Sequence, residues 1–243
     1  MCSLRLYTKE PSEGKVTLVP DPEGSLVTVC PQRFLEGSKI FHWVGEVLLG
    51  HSNPLIVSEV PFLERAVKER KKSVGKIDRV LVHPTRDPIQ WCALEMQAVY
   101  FSGPKMEHEF LAIRGWSKPT LPFPVKMRRP DYRSSGPKRL MPQLQIKVPS
   151  LRRWGKKIAV VVDHHFFNAL GKMETVPNVS NCDIAWFVVR YREHGGRAIL
   201  EADSVKLTTL EHAVEALTGG DPVNQEEFEK RIREKLGRSY PVS

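Results

Sequence analysis

The chain has 243 residues, 41% hydrophobic and 27% charged, and a formal net charge of +9. That length can bury a full hydrophobic core, and the composition is typical of a soluble globular protein rather than a disordered one. No apolar run approaches the ~20 residues that span a bilayer, and the polar N-terminus is unlike a signal peptide. We therefore expect a cytoplasmic protein.

The excess positive charge is concentrated in two segments. Residues 126–139, KMRRPDYRSSGPKR, contain six basic side chains and one acidic side chain, and residues 151–157, LRRWGKK, contain four more basic ones. Clustered Lys and Arg with Ser and Tyr between them suit a nucleic-acid backbone, because each neutralised phosphate releases counterions. A basic solvated loop that only aids solubility explains the same charge equally well.

The predicted elements begin with a small β-appendage, in which two short β-branched runs, KVTLVP and SLVTVC, flank a turn that contains Pro and Gly. Apolar residues at helical spacing over 33–50, closed by Gly50, predict a helix. Residues 58–73 predict a second helix, with Ser58 as its cap and Pro61 in its first turn.

Strands dominate the rest of the chain. Residues 77–83 and 91–100 predict two strands, and 102–150, which is rich in proline and basic residues, predicts a functional loop or a disordered insert. The apolar runs KKIAVVVD and CDIAWFVVRYR predict buried strands, and RAILEADSVKL predicts another. Two helices follow, the second opened by Asn224. Helices before and after a group of strands predict one α/β domain with a mixed sheet.

The strand WCALEMQAVY, residues 91–100, carries two polar side chains in an apolar run. Side chains alternate along a strand, so Glu95 and Gln97 share the face opposite Leu94 and Met96. An unpaired buried carboxylate is costly, and it either becomes neutral or finds a cation. An edge strand with a solvated face and a site that holds a metal or a proton both explain this pattern.

Asp78 offers a partner for Glu95, because it begins the preceding strand and an adjacent strand would bring it within ~5 Å. Two carboxylates that close repel each other unless a divalent cation lies between them, and oxygen ligands suit Mg²⁺, which also binds water and substrate phosphate. A metal that activates water can hydrolyse a phosphodiester, with Gln97 orienting water or a phosphate oxygen through its amide. Acidic pairs at this spacing are common, so the pattern alone is weak.

The stretch KIDRVLV…WCALEMQAVYFSG resembles the catalytic core of the PD-(D/E)XK nucleases, in the variant where glutamine replaces the usual lysine. More narrowly, it is similar to the NotI-like type II restriction endonucleases, and VCPQRFLEG (29–37) resembles the cysteine-containing N-terminal module of that family. The resemblance implies a Mg²⁺-dependent DNA endonuclease with Asp78, Glu95 and Gln97 as catalytic residues, of which Asp78 and Glu95 bind the metal.

The same resemblance implies the architecture: a PD-(D/E)XK-like mixed central sheet flanked by helices, with a small N-terminal β-appendage. We expect the cysteine-containing module at 1–36 and the nuclease domain at 37–243, with the basic, proline-rich insert at about 102–150. Double-stranded DNA is the expected partner, and the symmetry of palindromic cutting implies a homodimer.

The cysteines depart from the family pattern. The family binds a structural metal, iron in its best-known member, through four cysteines, and Cys2 and Cys30 match the last two. A tetrathiolate site needs all four ligands, so we expect a chain shortened at its N-terminus or read from an internal start, with an incomplete site. Either Cys2 and Cys30 bind Fe or Zn weakly, or the appendage is poorly ordered. Cys92 and Cys182 lie in apolar strands and are predicted to be packing residues.

DNA contact is expected from basic side chains in and after the insert, because Arg and Lys bind phosphates and Arg can also read guanine edges. They are Arg128, Arg129, Arg133, Lys138, Arg139, Arg152 and Arg153. We predict that His164 and His165 are loop or DNA-facing residues without a catalytic role, and that Glu59 and Glu64 lie on a solvated helix face.

Two other functions remain open on the sequence. One is a non-catalytic nucleic-acid-binding protein, a degenerate nuclease that keeps the fold and the basic surface. The other is an unrelated α/β enzyme that acts on a small anionic substrate, which would explain Glu95 but not the basic segment.

Overall fold

The structure, a computed structural model, describes residues 3–5, 7–9, 16–18, 26–67, 70–103, 106–117, 128–194, 197–218 and 223–236. The strands in these residues are β1 (Ser3–Arg5), β2 (Tyr7–Lys9), β3 (Val16–Leu18), β4 (Leu26–Thr28), β5 (Leu55–Val67), β6 (Arg70–Val82), β7 (Trp91–Met96), β8 (Tyr100–Phe101), β9 (Pro130–Asp131), β10 (Ile158–Asp163), β11 (Ile184–His194) and β12 (Arg197–Thr208). The α-helices are α1 (Lys39–Leu49), α2 (Glu107–Arg114), α3 (Tyr132–Ser135), α4 (Met141–Arg153), α5 (His164–Asn168), α6 (Leu210–Thr218) and α7 (Gln225–Leu236).

A six-stranded mixed sheet in the order β12-β11-β10-β7-β6-β5 forms the centre of the protein. β10 pairs in parallel with both β7 and β11, and the outer strands pair antiparallel. All six residues of β10 are buried, as expected of a parallel strand covered on both faces. This architecture confirms the predicted α/β fold with a mixed central sheet flanked by helices.

Helices cover the two faces of the sheet with separate apolar clusters. On one face, Leu144, Val148 and Leu151 of α4 and Leu217 of α6 pack against the sheet around Trp186. On the other face, α1 and the preceding 3-10 segment Pro31–Ser38 pack against β7, β10 and β11. The strands of the site are therefore held between two layers.

The predicted helix over 58–73 is wrong, because these residues form most of the β5–β6 hairpin. Its register runs from Leu55 opposite Val82 to Val67 opposite Arg70. Pro61 lies beside a register shift, where the missing backbone N–H of proline is tolerated. Ser58 and Pro61 suit the start of a helix, but pairing with β6 makes these residues a strand instead.

The prediction of an irregular segment over 102–150 is also wrong where the structure describes it. α3, the π-helical segment Gly136–Leu140 and α4 form one helical stretch, and Asp131 caps its start by accepting a hydrogen bond from the Ser134 N–H at 2.9 Å. Pro137 and Pro142 lie where one helical segment passes into the next, and Pro149 lies inside α4. Residues 118–127 lie outside the described residues.

Other predicted elements are present, but the strand predicted over 91–100 ends at Met96, and the helix predicted over 33–50 is α-helical only from Lys39. α1 ends at Gly50, which adopts a left-handed conformation with φ of 66°. β1 pairs with β4 and β2 with β3, as a β-appendage requires. α6 and α7 follow β12, and the Asn224 side chain accepts a hydrogen bond from the Glu227 N–H at 2.9 Å. None of the helices in the described ranges has the length and hydrophobicity of a membrane span.

Replacing Gly45 with alanine should destabilise the protein, although alanine is the better helix former by about 1 kcal/mol. A Cβ at Gly45 would lie 2.5 Å from the His51 carbonyl oxygen and 2.8 Å from the Pro54 ring. We expect a net loss of about 1–3 kcal/mol in the free energy of unfolding, measured by urea denaturation. Glu46→Ala, at an exposed position of the same helix, is the control and should stay close to the wild type.

Candidate active site

Glu95 lies near the end of β7, between β6 and β10, and only 3% of its surface is exposed. It stands opposite Val160 of β10. In the β6–β7 ladder Arg79 is opposite Leu94, so the next step of that ladder brings Asp78 opposite Glu95. The glutamate in the apolar strand is therefore a buried acid and not a residue on a solvated edge.

A lysine neutralises this buried acid. Lys147 of α4 donates a hydrogen bond from Nζ to Glu95 Oε1 at 2.5 Å, and a second to Gln143 Oε1 at 3.1 Å. Lys147 is itself only 6% exposed. Because α4 covers the face of the sheet toward which Glu95 points, the two charges meet away from bulk water, where each depends on the other.

Asp78 acts on Glu95 in two ways. Its backbone N–H lies close enough to lower the pKa of Glu95, and its own carboxylate is an exposed negative charge nearby that raises it. Burial raises the pKa of Glu95 to about 7, the Lys147 ammonium opposes that rise, and the Asp78 carboxylate adds to it. The structure thus brings together two of the three predicted catalytic residues.

Gln97 follows directly after the end of β7, and it is largely buried. Its side-chain Nε2 donates to the Ala98 carbonyl oxygen at 2.6 Å, and its backbone N–H donates to Val161 at 2.9 Å. These bonds hold the amide at the edge of the sheet where β7 and β10 both end.

The donor chemistry of this site fits a hard cation. Asp78 and Glu95 supply carboxylate oxygens, and Mg²⁺ is bound in proteins by one or two carboxylates together with waters and substrate phosphate. The described part of the chain contains no cluster of three or more His, Cys, Asp or Glu side chains that could enclose a metal.

Comparison with protein families decides which class of protein carries this site. The family model of the restriction endonuclease NotI matches residues 1–200. The chain belongs to the NotI restriction endonuclease family. Among curated proteins, no sequence matches this chain. Membership identifies a restriction endonuclease that acts on DNA, and it confirms the predicted resemblance to the NotI-like restriction endonucleases.

Lys147 is the residue of this NotI-family site that the sequence analysis missed. It lies within the segment predicted to be irregular, so its helical neighbours were not recognised. The available signal was the apolar spacing Leu140, Leu144, Val148 and Leu151, which marks the buried face of a helix and places Lys147 on or beside it.

The seven basic residues predicted to contact DNA occupy different environments. Arg128 is 7% exposed; it donates from Nε to Glu109 Oε1 at 2.6 Å and from an Nη to the Ser102 carbonyl at 3.0 Å. Arg152 pairs with Asp183 at 2.5 Å and also contacts Glu211. Both guanidinium groups are bound within the chain.

The other five residues predicted to contact DNA are exposed. Four of them precede α4, and the fifth lies at its end. Arg139 stacks on Tyr100, 3.8 Å from the ring centroid, just beyond the end of β7 that carries Glu95. Arg129, Arg133 and Lys138 lie in the same part of the chain. Arg153 ends α4 near the start of β10, at the opposite edge of the sheet.

The other candidates are structural or untested. Cys92 and Cys182 are buried, and burial raises the pKa of the Cys92 thiol to about 12, as expected of packing residues. Cys30 is a half-buried free thiol, and Cys2 lies outside the described residues, so the partial metal site stays a prediction.

The remaining acids and histidines also have observed positions. Glu59 and Glu64 lie on β5 and not on a helix, and Glu59 pairs with Lys76 at 2.8 Å. His164 and His165 begin α5, directly after β10, so their placement in a loop is wrong. His164 contacts Asn168 and Asp203.

Lys147→Met should destabilise the metal-free protein by about 3–5 kcal/mol, because it leaves the Glu95 carboxylate buried without its cation. Protonation of Glu95 reduces this cost, so the loss should be smaller at pH 5.5 than at pH 8. The measurement is urea denaturation in EDTA at both pH values.

Glu95→Gln/Lys147→Met removes both charges and should recover part of that stability. Lys206→Met, at an exposed position, is the control for the loss of a lysine. If the single and double variants are destabilised equally, Lys147 does not stabilise the protein through its ion pair with Glu95.

Proposed function

We propose that this member of the NotI family is a Mg²⁺-dependent endonuclease of the type II restriction class, built on a PD-(D/E)XK-like core, that hydrolyses phosphodiester bonds in double-stranded DNA. The observation that supports it most is the meeting of Asp78 with buried Glu95. These residues are far apart in sequence, and only the β6–β7 pairing brings them together. A raised pKa from burial and a like charge is typical of functional carboxylates.

In this proposal Asp78 and Glu95 would hold the metal, which would lower the pKa of a bound water and offset charge on the phosphate. Gln97 would orient water or a phosphate oxygen with an uncharged amide. Lys147 fixes the Glu95 carboxylate through its hydrogen bond at 2.5 Å, so that one oxygen is held in place and the rise in the pKa of Glu95 that burial causes is reduced. It is a positioning residue, because it acts through Glu95.

The DNA surface proposed here is the sheet edge at which β7 and β10 end. Arg129, Arg133, Lys138 and Arg139 are exposed on the chain that follows this edge. We leave Arg128, Arg152 and Arg153 out of this surface, because two are bound in internal ion pairs and Arg153 lies at the opposite edge.

A degenerate nuclease that binds DNA without cutting it is the second candidate. The observation in its favour is that Lys147 already neutralises Glu95, so a cation must compete with an internal ammonium group. This candidate predicts salt-dependent DNA binding and no Mg²⁺-dependent cleavage. The partial Fe or Zn site at Cys2 and Cys30 is a separate expectation, which neither candidate requires.

Glu95→Gln and Asp78→Asn should each lower plasmid cleavage in Mg²⁺ by at least about 10³-fold, because each removes a metal ligand. Gln at 95 keeps an oxygen for Lys147, so we expect the protein to stay folded. DNA binding in Ca²⁺, measured by fluorescence anisotropy, should remain close to the wild type.

Glu46→Gln is the control for carboxylate loss, since this side chain is exposed on α1. It should cut as the wild type does. Wild-type protein that binds DNA but gives no nicks in Mg²⁺ would favour the degenerate nuclease, and full cleavage by Glu95→Gln would rule out the proposed site.

A homodimer is the assembly we propose for cutting both strands, because a palindromic site presents two symmetric scissile bonds. Light scattering with size-exclusion chromatography should then give the mass of two protein chains plus one duplex when a palindromic duplex is bound. A mass for one protein chain per duplex would contradict the dimer and leave the active site unaffected.

A further inference from the structure

The β5–β6 hairpin extends well beyond the sheet. In the residues that the structure describes, β7 pairs only with Arg79–Val82 of β6, whereas β6 continues back to Arg70 with β5 as its partner. The Arg70–Asp78 part is about 30 Å long at ~3.3 Å per residue. We call this two-stranded extension, residues 58–67 and 70–78, the basic arm.

The charge of the basic arm is concentrated toward its tip. Its residues 64–67 and 70–76 contain five basic side chains and one acidic side chain. The register places Arg65 opposite Lys72, and Ala66 opposite Lys71. Like charges at opposed positions of a ladder destabilise a hairpin, so this pairing does not serve the stability of the arm. A polyanion lying along the arm would remove that cost.

The direction of the arm relates it to the active site. β6 is antiparallel to β7, so it leaves the sheet at the edge where β7 ends, the edge of Glu95. Asp78 is the first residue of the arm beyond the β7 pairing. Register shifts beside Leu63 add bulges, which bend a hairpin and increase its twist. The arm therefore begins at the active site and curves away from it.

We infer that the basic arm is a DNA-binding arm that contacts the phosphates of the substrate duplex beside the cut site. A two-stranded ribbon fits the major groove, which is about 12 Å wide, and an arm of about 30 Å follows roughly nine base pairs at 3.4 Å each. The inference rests on the proposed DNA substrate, and it adds a contact region separate from Arg129–Arg139.

The test compares two variants that lose one arginine and one lysine each. Arg65→Gln/Lys72→Gln removes a cross-strand pair from the basic arm. Arg86→Gln/Lys206→Gln removes exposed charges from the opposite edge, where Arg86 lies between β6 and β7 and Lys206 pairs with the start of β11. Binding of a labelled 30-bp duplex of arbitrary sequence is measured by anisotropy in EDTA, across KCl concentrations.

The arm variant should weaken binding on the order of tenfold or more at 0.1 M KCl and lower the slope of log Kd against log salt by about 1.8, or 0.9 for each lost phosphate contact. The control should keep the wild-type slope. The melting temperature of the free arm variant should not fall, because the substitution relieves like-charge repulsion. Lys71→Gln alone should lower the slope by about 0.9.

If the arm variant keeps the wild-type slope of log Kd against log salt, the proposal that the basic arm binds DNA is wrong. The nuclease proposal is unaffected by that result. Equal losses in arm and control variants would also overturn the arm proposal, because they would reflect net charge alone. A wild type that binds the duplex through the arm but cuts neither plasmid nor genomic DNA in Mg²⁺ would refute the nuclease and keep the arm. A wild type that neither binds the duplex nor cuts those DNAs would refute both, and one that cuts them without binding the duplex would refute the arm alone.

Discussion

The buried Glu95–Lys147 ion pair constrains the whole arrangement of the site. A carboxylate that is 3% exposed within an apolar sheet is tolerated only with a partner, and that partner comes from a helix more than fifty residues later. α4 must therefore lie on one face of the sheet, with Leu144 and Val148 packed beneath it. Because the buried charge needs its partner, α4 has to place Lys147 beside Glu95. The hydrogen bond from Lys147 then sets the direction of the Glu95 carboxylate.

Sheet topology then determines what surrounds the carboxylate. Because β7 and β10 are parallel, both end at one edge, and because β6 is antiparallel, Asp78 arrives at the same edge from the other direction. Gln97 lies at this edge as well, and the Tyr100 backbone N–H donates a hydrogen bond to Ser135 Oγ, which ties the start of the helical stretch to the residues that follow β7.

The same topology distributes the positive charge. In the sequence, the basic residues from 126 to 157 form one region, but α4 carries them across the sheet, so Arg139 and Arg152 lie at opposite edges. The basic residues of 65–76, which would have crowded the end of a predicted helix, lie instead on an extended ribbon that begins at Asp78. Basic residues that are close together in the sequence therefore do not all lie close together on the surface.

The sequence by itself determined the mixed α/β class, the buried strands and the catalytic candidates Asp78 and Glu95, because apolar runs and a polar exception within them are local features. It predicted a helix at 58–73 and an irregular segment at 102–150, since a strand pair depends on a distant partner and a proline-rich sequence is typical of loops, although α4 contains both Pro142 and Pro149. Only the tertiary structure revealed Lys147 and the direction of the basic arm. A buried charge finds its partner in space rather than along the chain, and no local pattern records that distance.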